Sequence, residues 1–478
     1  MGQRRATPNT GITVGLAALG SLSVAYVLSQ RIGPALMVFA LAGLLAATVF
    51  AVISFRNWVV PFAIWIIAVG GFRFLWFVQA GGLPDLYLDR MMLIWLGMVF
   101  LIKSVVGKRI PTGPYTLDLF ILCHGLYILA RVYIQHMHYI QPWFMSIAIP
   151  YCAYFLAKNI IDDSRRIRVL WWVLLGLVVY YSFTSIVEKY RIDALIFPRN
   201  IIEAKELEFR GRSIGPFIQP GVFGTSFAML LPIHLYFLAT VRSRLAKVLV
   251  GACFVAAAVG LMFTYTRGSW LAGAAGLGVA AILNRRRYLP LLAPAAVIGC
   301  LVGLFVLGVG HDKFMKERFE NEDTLGSRVG TAATALRVWR DSPVFGVGFF
   351  QFGRVREDYI EPVNAPLLGT IRFSQYRDNP LHDIYLGPLA EDGLVGAVLQ
   401  YGIYFLILRN ILRKRRSLAG DRHFTELILP VCIGSFAAYF VGGLAFDYRF
   451  FSFMGALFYM TAGILEGYRS SPETADVS

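Results

Sequence analysis

The chain has 478 residues, 57% of them hydrophobic and only 15% charged, and its mean hydropathy is +0.61. A soluble globular domain carries closer to a quarter charged residues, so a soluble fold is excluded and a polytopic membrane protein is expected. The formal net charge of +16 would suggest nucleic acid for a soluble protein. Here the basic residues sit mainly in short loops between apolar runs, as membrane topology dictates, and no nucleic-acid partner is expected.

Runs of about twenty apolar residues, enough to cross the hydrocarbon core as helices, recur along the whole length. The short alternating segments of a membrane β-barrel are not visible. The expected spans lie near 12–29, 33–53, 58–78, 87–103, 115–133, 143–158 and 167–187, then near 218–240, 246–265, 268–283 and 288–309, and last near 390–410, 425–445 and 448–468. The first follows Arg4 and Arg5 and lacks a small-residue cleavage site, so it reads as a retained helix rather than a signal peptide. Asp89 and Arg90 mark a membrane face in the fourth. Cys123, Cys152, Cys253, Cys300 and Cys432 all fall in apolar runs without CxxC spacing, and read as small core residues rather than disulfides or zinc ligands.

Charge asymmetry orients these spans. Arg4–Arg5, Lys103–Lys108–Arg109, Arg165–Arg166–Arg168, Arg242–Arg244–Lys247, Arg285–Arg286–Arg287 and Arg413–Lys414–Arg415–Arg416 all fall on one side, which the positive-inside rule makes cytoplasmic. Both termini are then cytoplasmic. The extracytoplasmic segments are 188–217, the tight turn around Arg267 and a long polar loop, 310–383. That loop mixes acids, bases and aromatics. Residues 328–341 read as an amphipathic helix with Val329, Ala332, Ala333, Leu336 and Trp339 on one face. Asp341-Ser342-Pro343 ends it, and Gly346-Val347-Gly348 follows as a tight turn. The chain therefore divides into N-terminal spans (1–187), central spans with arginine-bearing outer turns (188–309), the outer loop (310–383), and C-terminal spans with a short polar tail (384–478).

Three constellations share the outer side. Glu208 to Pro216 contains Arg210 and Arg212; Thr264 to Leu271 contains Arg267; and the loop ends in Arg377, Asp378, Asn379, Pro380, Leu381, His382 and Asp383. An arginine at a membrane boundary often only snorkels to the headgroups. Arg267, however, lies in a tight hairpin on the side where positive charge is disfavoured, and a guanidinium matches phosphate oxygens in a bidentate fork. A lone histidine near a span is more often a satisfied polar residue than a catalyst. Asp378 and Asp383 beside His382 are placed to orient an imidazole that transfers protons near neutral pH. No GxxxxGK[ST] loop, no metal-ligand spacing and no nucleophile elbow at Ser213, Ser269 or Ser342 is present. No metal or cofactor is expected.

These motifs resemble the O-antigen ligase and polymerase superfamily of bacterial inner-membrane proteins. His382-Asp383, nine residues, then Gly393-Leu394-Val395-Gly396 is similar to the family's pattern, departing from it only in Asp383, which stands where the family has an amide or serine. Thr266-Arg267-Gly268-Ser269-Trp270-Leu271 resembles its Ser/Thr-Arg-Gly element. Asp323 to Arg328 with Trp339, Pro343 and Phe345 to Gly348 resembles its loop signature, and Arg212 to Pro216 with Phe217 and Pro220 the opening of the preceding helix. The similarity covers about residues 205–410.

The resemblance implies an all-α, GT-C-like polytopic fold of about 12–14 transmembrane helices. It also implies a metal-independent, inverting glycosyl transfer outside the cytoplasmic membrane, from an undecaprenyl-diphosphate-linked oligosaccharide to a glycan or lipid A core acceptor. His382 would be the general base, Arg267 with Arg212 or Arg210 would hold the diphosphate, and Asp383, Asp378, Arg328 and Arg377 would support them. The span count and long loop favour a polymerase of surface or exopolysaccharide repeats over a ligase. A flippase of the same lipid would use the arginines without a base and should show internal repeats and broken helices, and neither is obvious in the sequence. A structural membrane subunit without activity is the remaining class.

Overall fold

The computed structural model describes residues 34–75, 77–78, 85–106, 116–202, 209, 211–292, 323–365, 369–371 and 383–470. The chain is an all-α polytopic membrane protein. Its helices are α1 (Pro34–Arg56), α2 (Val59–Ile67, continued by a π turn, Ala68–Phe72), α3 (Leu88–Val106), α4 (Thr116–Ile134), α5 (Ile140–Ile160), α6 (Ser164–Lys189) and α7 (Pro220–Thr240). They continue as α8 (Arg244–Phe263), α9 (Arg267–Leu283), α10 (Asp323–Asp341), α11 (Leu386–Ser417), α12 (His423–Gly443) and α13 (Ser452–Gly467). Seven of them, α4 to α8, α11 and α12, are long and apolar enough to cross a membrane. The expected first span, 12–29, and most of the one at 288–309 lie outside the described residues; each of the others is met by a helix. Among the described residues strands are confined to two small antiparallel hairpins, β1 (Phe77–Val78) with β2 (Leu86–Tyr87), and β3 (Val363–Ala365) with β4 (Gly369–Ile371).

Lipid offers no partner to backbone groups, so each apolar run closes its hydrogen bonds internally as a helix. Side chains then turn outward as readily as inward. Leu119, Leu122 and Leu126 form an exposed stripe on α4, and Val398, Phe405, Leu408 and Leu412 another on α11. Cys123, expected in the core, lies exposed on the α4 stripe. The centre of the bundle is α7, 89% of whose apolar window is buried. Elsewhere small residues let backbones meet, which is how helices associate without a hydrophobic drive between them. Gly463 and Gly467 bring α13 against the Tyr154 and Lys158 carbonyls of α5, and Gly276 and Gly434 face each other between α9 and α12.

The connections gather at two ends. At one, Lys414 Nζ donates to Glu466 O (2.9 Å), Arg469 N to Asp162 O (2.7 Å) and Tyr288 OH to Leu427 O (2.9 Å). This end carries the basic clusters at 165–168, 285–287 and 413–416. At the other, Arg131 donates to Gly346 O (3.2 Å) and Arg212 to Thr264 O (3.0 Å), and the outer loop docks there.

Helix α10 forms where the amphipathic pattern places it and stops at Asp341, but its buried face is the neighbouring stripe. Ser327, Thr331, Thr334, Ala335 and Val338 are buried, whereas Leu336 is 39% exposed. The small side chains let α10 approach the start of α11, where Ala335, Val338, Phe352 and Ala390 form a cluster. The expected face is thus only partly buried, with Leu336 turned outward, while small residues and Val338 fill the contact.

Helix α11 is broken at Gly393 (φ 66°, ψ −164°). The carbonyls and amides freed by the break are taken up by the turn after α10. Val347 N donates to Ala390 O (3.1 Å) and Gly348 N to Glu391 O (2.8 Å), while Leu394 N and Val395 N donate to Pro343 O (2.9 Å) and Val344 O (3.1 Å). A Cβ on Gly393 would run into the Val344 carbonyl, and its backbone conformation is essentially glycine-only. Gly396 leaves room for Asp392 and the Tyr127 ring. Gly393→Ala should therefore destabilise the protein by more than about 1–3 kcal/mol, the strain of that conformation alone, lowering the thermal midpoint of the detergent-solubilised protein. An unchanged midpoint would mean that the break is not a fixed feature.

Candidate active site

Glu188, fully buried at the end of α6, accepts the Ile214 and Gly215 amides (2.9 Å each), and Ser213 N donates to Phe263 O (2.9 Å). A carboxylate holding two amides is a strong local anchor, and it fixes the segment that begins with Arg212. The Arg212 guanidinium then reaches the end of α8, donating to Thr264 O (3.0 Å) and Thr266 Oγ1 (2.8 Å). Between those residues Tyr265 adopts φ 48°, a left-handed conformation that costs a bulky residue energy. Its hydroxyl accepts a hydrogen bond from Lys189 Nζ. The strained turn delivers Arg267 to the first position of α9, where it is exposed.

Arg328 comes from the first turns of α10 and lies close enough to Arg267 to feel its charge. Burial first, and the Arg267 charge second, hold its pKa below the usual arginine value. Its Nε is buried without a partner among the described residues. Two guanidinium groups near enough to repel, with no carboxylate paired to either among the described residues, make an electropositive ledge suited to an anion.

The segment after His382 reaches the same end. Asp383 Oδ1 accepts the Tyr385 and Leu386 amides (the latter at 2.9 Å) and so caps α11. Ile384 N donates to Gly443 O (3.1 Å). Two residues on, Ala445 packs against Gly268, where any side chain would overlap it. Gly443 and Ala445 are separated by at most about 7 Å of backbone. The start of α11 and the Arg267–Gly268 turn are thus tied to one short bridge. Arg210, Arg377, Asp378 and His382 itself lie outside the described residues.

Beside this bridge is an ionic network that the sequence reading missed. Arg449, 11% exposed, pairs with Asp447 (2.8 Å) and with Glu391 of α11 (3.1 Å), which is 5% exposed. Glu391 also accepts the Phe352 amide (3.3 Å), and the guanidinium packs on Gly387 in the first turn of α11. Arg449 also borders a cavity of about 40 Å³ with His124, Tyr151, Asp392, Gln400 and Tyr404. His124 Nε2 and Asp392 Oδ1 have no hydrogen-bond partner among the described residues.

Fold and site together define a multi-pass helical membrane protein with a basic ledge at one end of its bundle, beside a folded loop. Residues 252–401, from α8 through α11, match the family model described as O-antigen ligase. That stretch, about a third of the chain, is similar to the O-antigen ligase/polymerase superfamily, which points to a glycosyltransferase-type enzyme. The match contains Arg267, Arg328, His382 and Gly393 to Gly396, and leaves Arg212 and Arg449 outside. No curated protein matches the chain.

The missed network had a signal. Glu391-Asp392 are adjacent acids beside a long apolar run, and charges at membrane depth are expensive enough to be read as functional and paired. The partner of Glu391, Arg449, stands 58 residues away, too far for spacing to reveal. Arg449→Ala would leave two buried carboxylates uncompensated, which should cost about 3–5 kcal/mol. The expected outcome is a lower unfolding midpoint in detergent, with Arg449→Lys intermediate. Equal midpoints for both variants and the parent would show that the pairs carry no net stability.

Proposed function

We propose that this protein is a metal-independent, inverting glycosyltransferase of the outer face of the bacterial cytoplasmic membrane, with both termini cytoplasmic. It moves a glycan from an undecaprenyl-diphosphate donor to an acceptor hydroxyl. The observation that carries this reading is the bridge Gly443–Ala445, which holds Ile384, two residues after His382, and the Arg267–Gly268 turn side by side. His382 removes the acceptor proton as the hydroxyl oxygen attacks the anomeric carbon. The bond from that carbon to the diphosphate oxygen breaks, and the configuration inverts. Arg267, with Arg212 or Arg210, takes the charge developing on the diphosphate, and Arg328 and Arg377 add to the same field. Neutralising a leaving group in a site of low dielectric is where most of the rate gain arises. Asp383 fixes the backbone next to the base, and in this reading Asp378 orients the imidazole. Confinement of the donor to the membrane plane helps to align it.

The span count and the folded loop favour a polymerase of surface or exopolysaccharide repeat units. The family description, O-antigen ligase, favours transfer to a lipid A core; adding either acceptor to the reconstituted enzyme separates the two. The break in α11 is the kind of feature a flippase would use, but protein backbone fills it from Pro343 to Gly348, which supports a structural role for it.

His382→Ala should abolish transfer from a lipid-linked oligosaccharide in reconstituted protein while donor binding persists; full retained activity rejects the base. Arg267→Lys should weaken donor affinity roughly tenfold or more, since a point charge loses one arm of a charged hydrogen-bonded fork. Unchanged affinity by titration would remove Arg267 from the diphosphate site.

A further inference from the structure

The outward stripe of α10 runs into an apolar edge that glycosyl transfer does not use. Leu336 is 39% exposed, and beyond the helix end Val344 and Phe345 are 48% and 57% exposed. In a loop expected to stand in water, this edge has no covering partner among the described residues. It is not isolated, because the Pro343 and Val344 carbonyls are bonded to the Leu394 and Val395 amides of α11. On that stretch of α11, Leu394 and Val398 are 45% and 62% exposed, and the stripe continues through Phe405 and Leu408 toward the other end. The apolar edge is therefore continuous with a membrane-facing helix surface.

Helix rise fixes its depth. The basic run Arg413 to Arg416 marks one boundary of the membrane. Counting back from Leu412 through about twenty residues of 1.5 Å each spans the roughly 30 Å hydrocarbon core and ends at Gly393. Val344 and Phe345 thus join α11 where hydrocarbon gives way to headgroups. Trp339, whose Nε1 donates to Pro343 O (3.2 Å), and exposed Arg340 flank them. Indole and guanidinium are side chains that settle at this interface.

We infer that the segment from Leu336 to Phe345 is seated in the outer leaflet, with Val344 and Phe345 among the lipid acyl chains. The loop is then anchored to the membrane surface, and its partner is the bilayer itself. This inference stands independently of the reaction proposed above.

The test uses full-length Phe345→Cys and Asp358→Cys, each labelled with an NBD maleimide in vesicles of phosphatidylethanolamine and phosphatidylglycerol. The parent protein is labelled in parallel so that the signal of its own cysteines is subtracted. Acyl-chain doxyl lipid should quench the label at 345 several-fold more than iodide present on both sides of the membrane, with the reverse order at exposed 358. Leu336→Cys, which leaves Val344 and Phe345 intact, should follow the label at 345. Iodide quenching at 345 and 336 equal to that at 358 overturns the inference. Protection from both quenchers, as contact with a second copy would give, overturns it too.

Discussion

A backbone group in lipid has no water to turn to, and that constraint governs this structure. A straight helix satisfies it trivially; α11 does not, because Gly393 breaks its ladder. The cost of the break is met by Pro343, Val344, Val347 and Gly348, whose backbone groups replace the missing helical partners. The outer loop is consequently part of the membrane helix's own hydrogen bonding. Its register against α11 is set to a single residue, and so is the approach of α10, which carries Arg328.

Charge is organised by the same economy. Glu188, Glu391 and Asp383 each spend their oxygens on backbone amides, and Glu391 on Arg449 as well. Among the described residues none of these carboxylates is paired with Arg267 or Arg328, so the two bases share a positive field at that end. A diphosphate is the chemistry such a field suits.

Much of this was legible in the sequence. Spans announced themselves because length and apolarity are the only requirements lipid makes, and the Asp341-Ser342-Pro343 stop and Gly346-Val347-Gly348 turn follow from local backbone chemistry. The glycine pair Gly393 and Gly396 could be quoted as a motif, but its reason, a break filled by another segment, needed three dimensions. The face of α10 was misassigned because periodicity finds an apolar stripe without saying whether protein or lipid covers it. Arg449 went unnoticed because its meaning lies in Glu391, and nothing local links the two. Where His382 points lies outside what the described residues reach.

The length of α11 has one more consequence. Its 32 residues exceed the twenty or so that hydrocarbon requires, and the surplus at the outer end, Leu386 to Asp392, begins beyond the break. That short piece rises at most about 10 Å above the acyl region, comparable to the thickness of a headgroup layer. At the depth inferred above, the helix would act as a ruler, standing its capped end near the height of the phosphates of a membrane lipid. A donor carried on a lipid would arrive in register, without being lifted from the bilayer, whereas a soluble sugar nucleotide would gain nothing from that height.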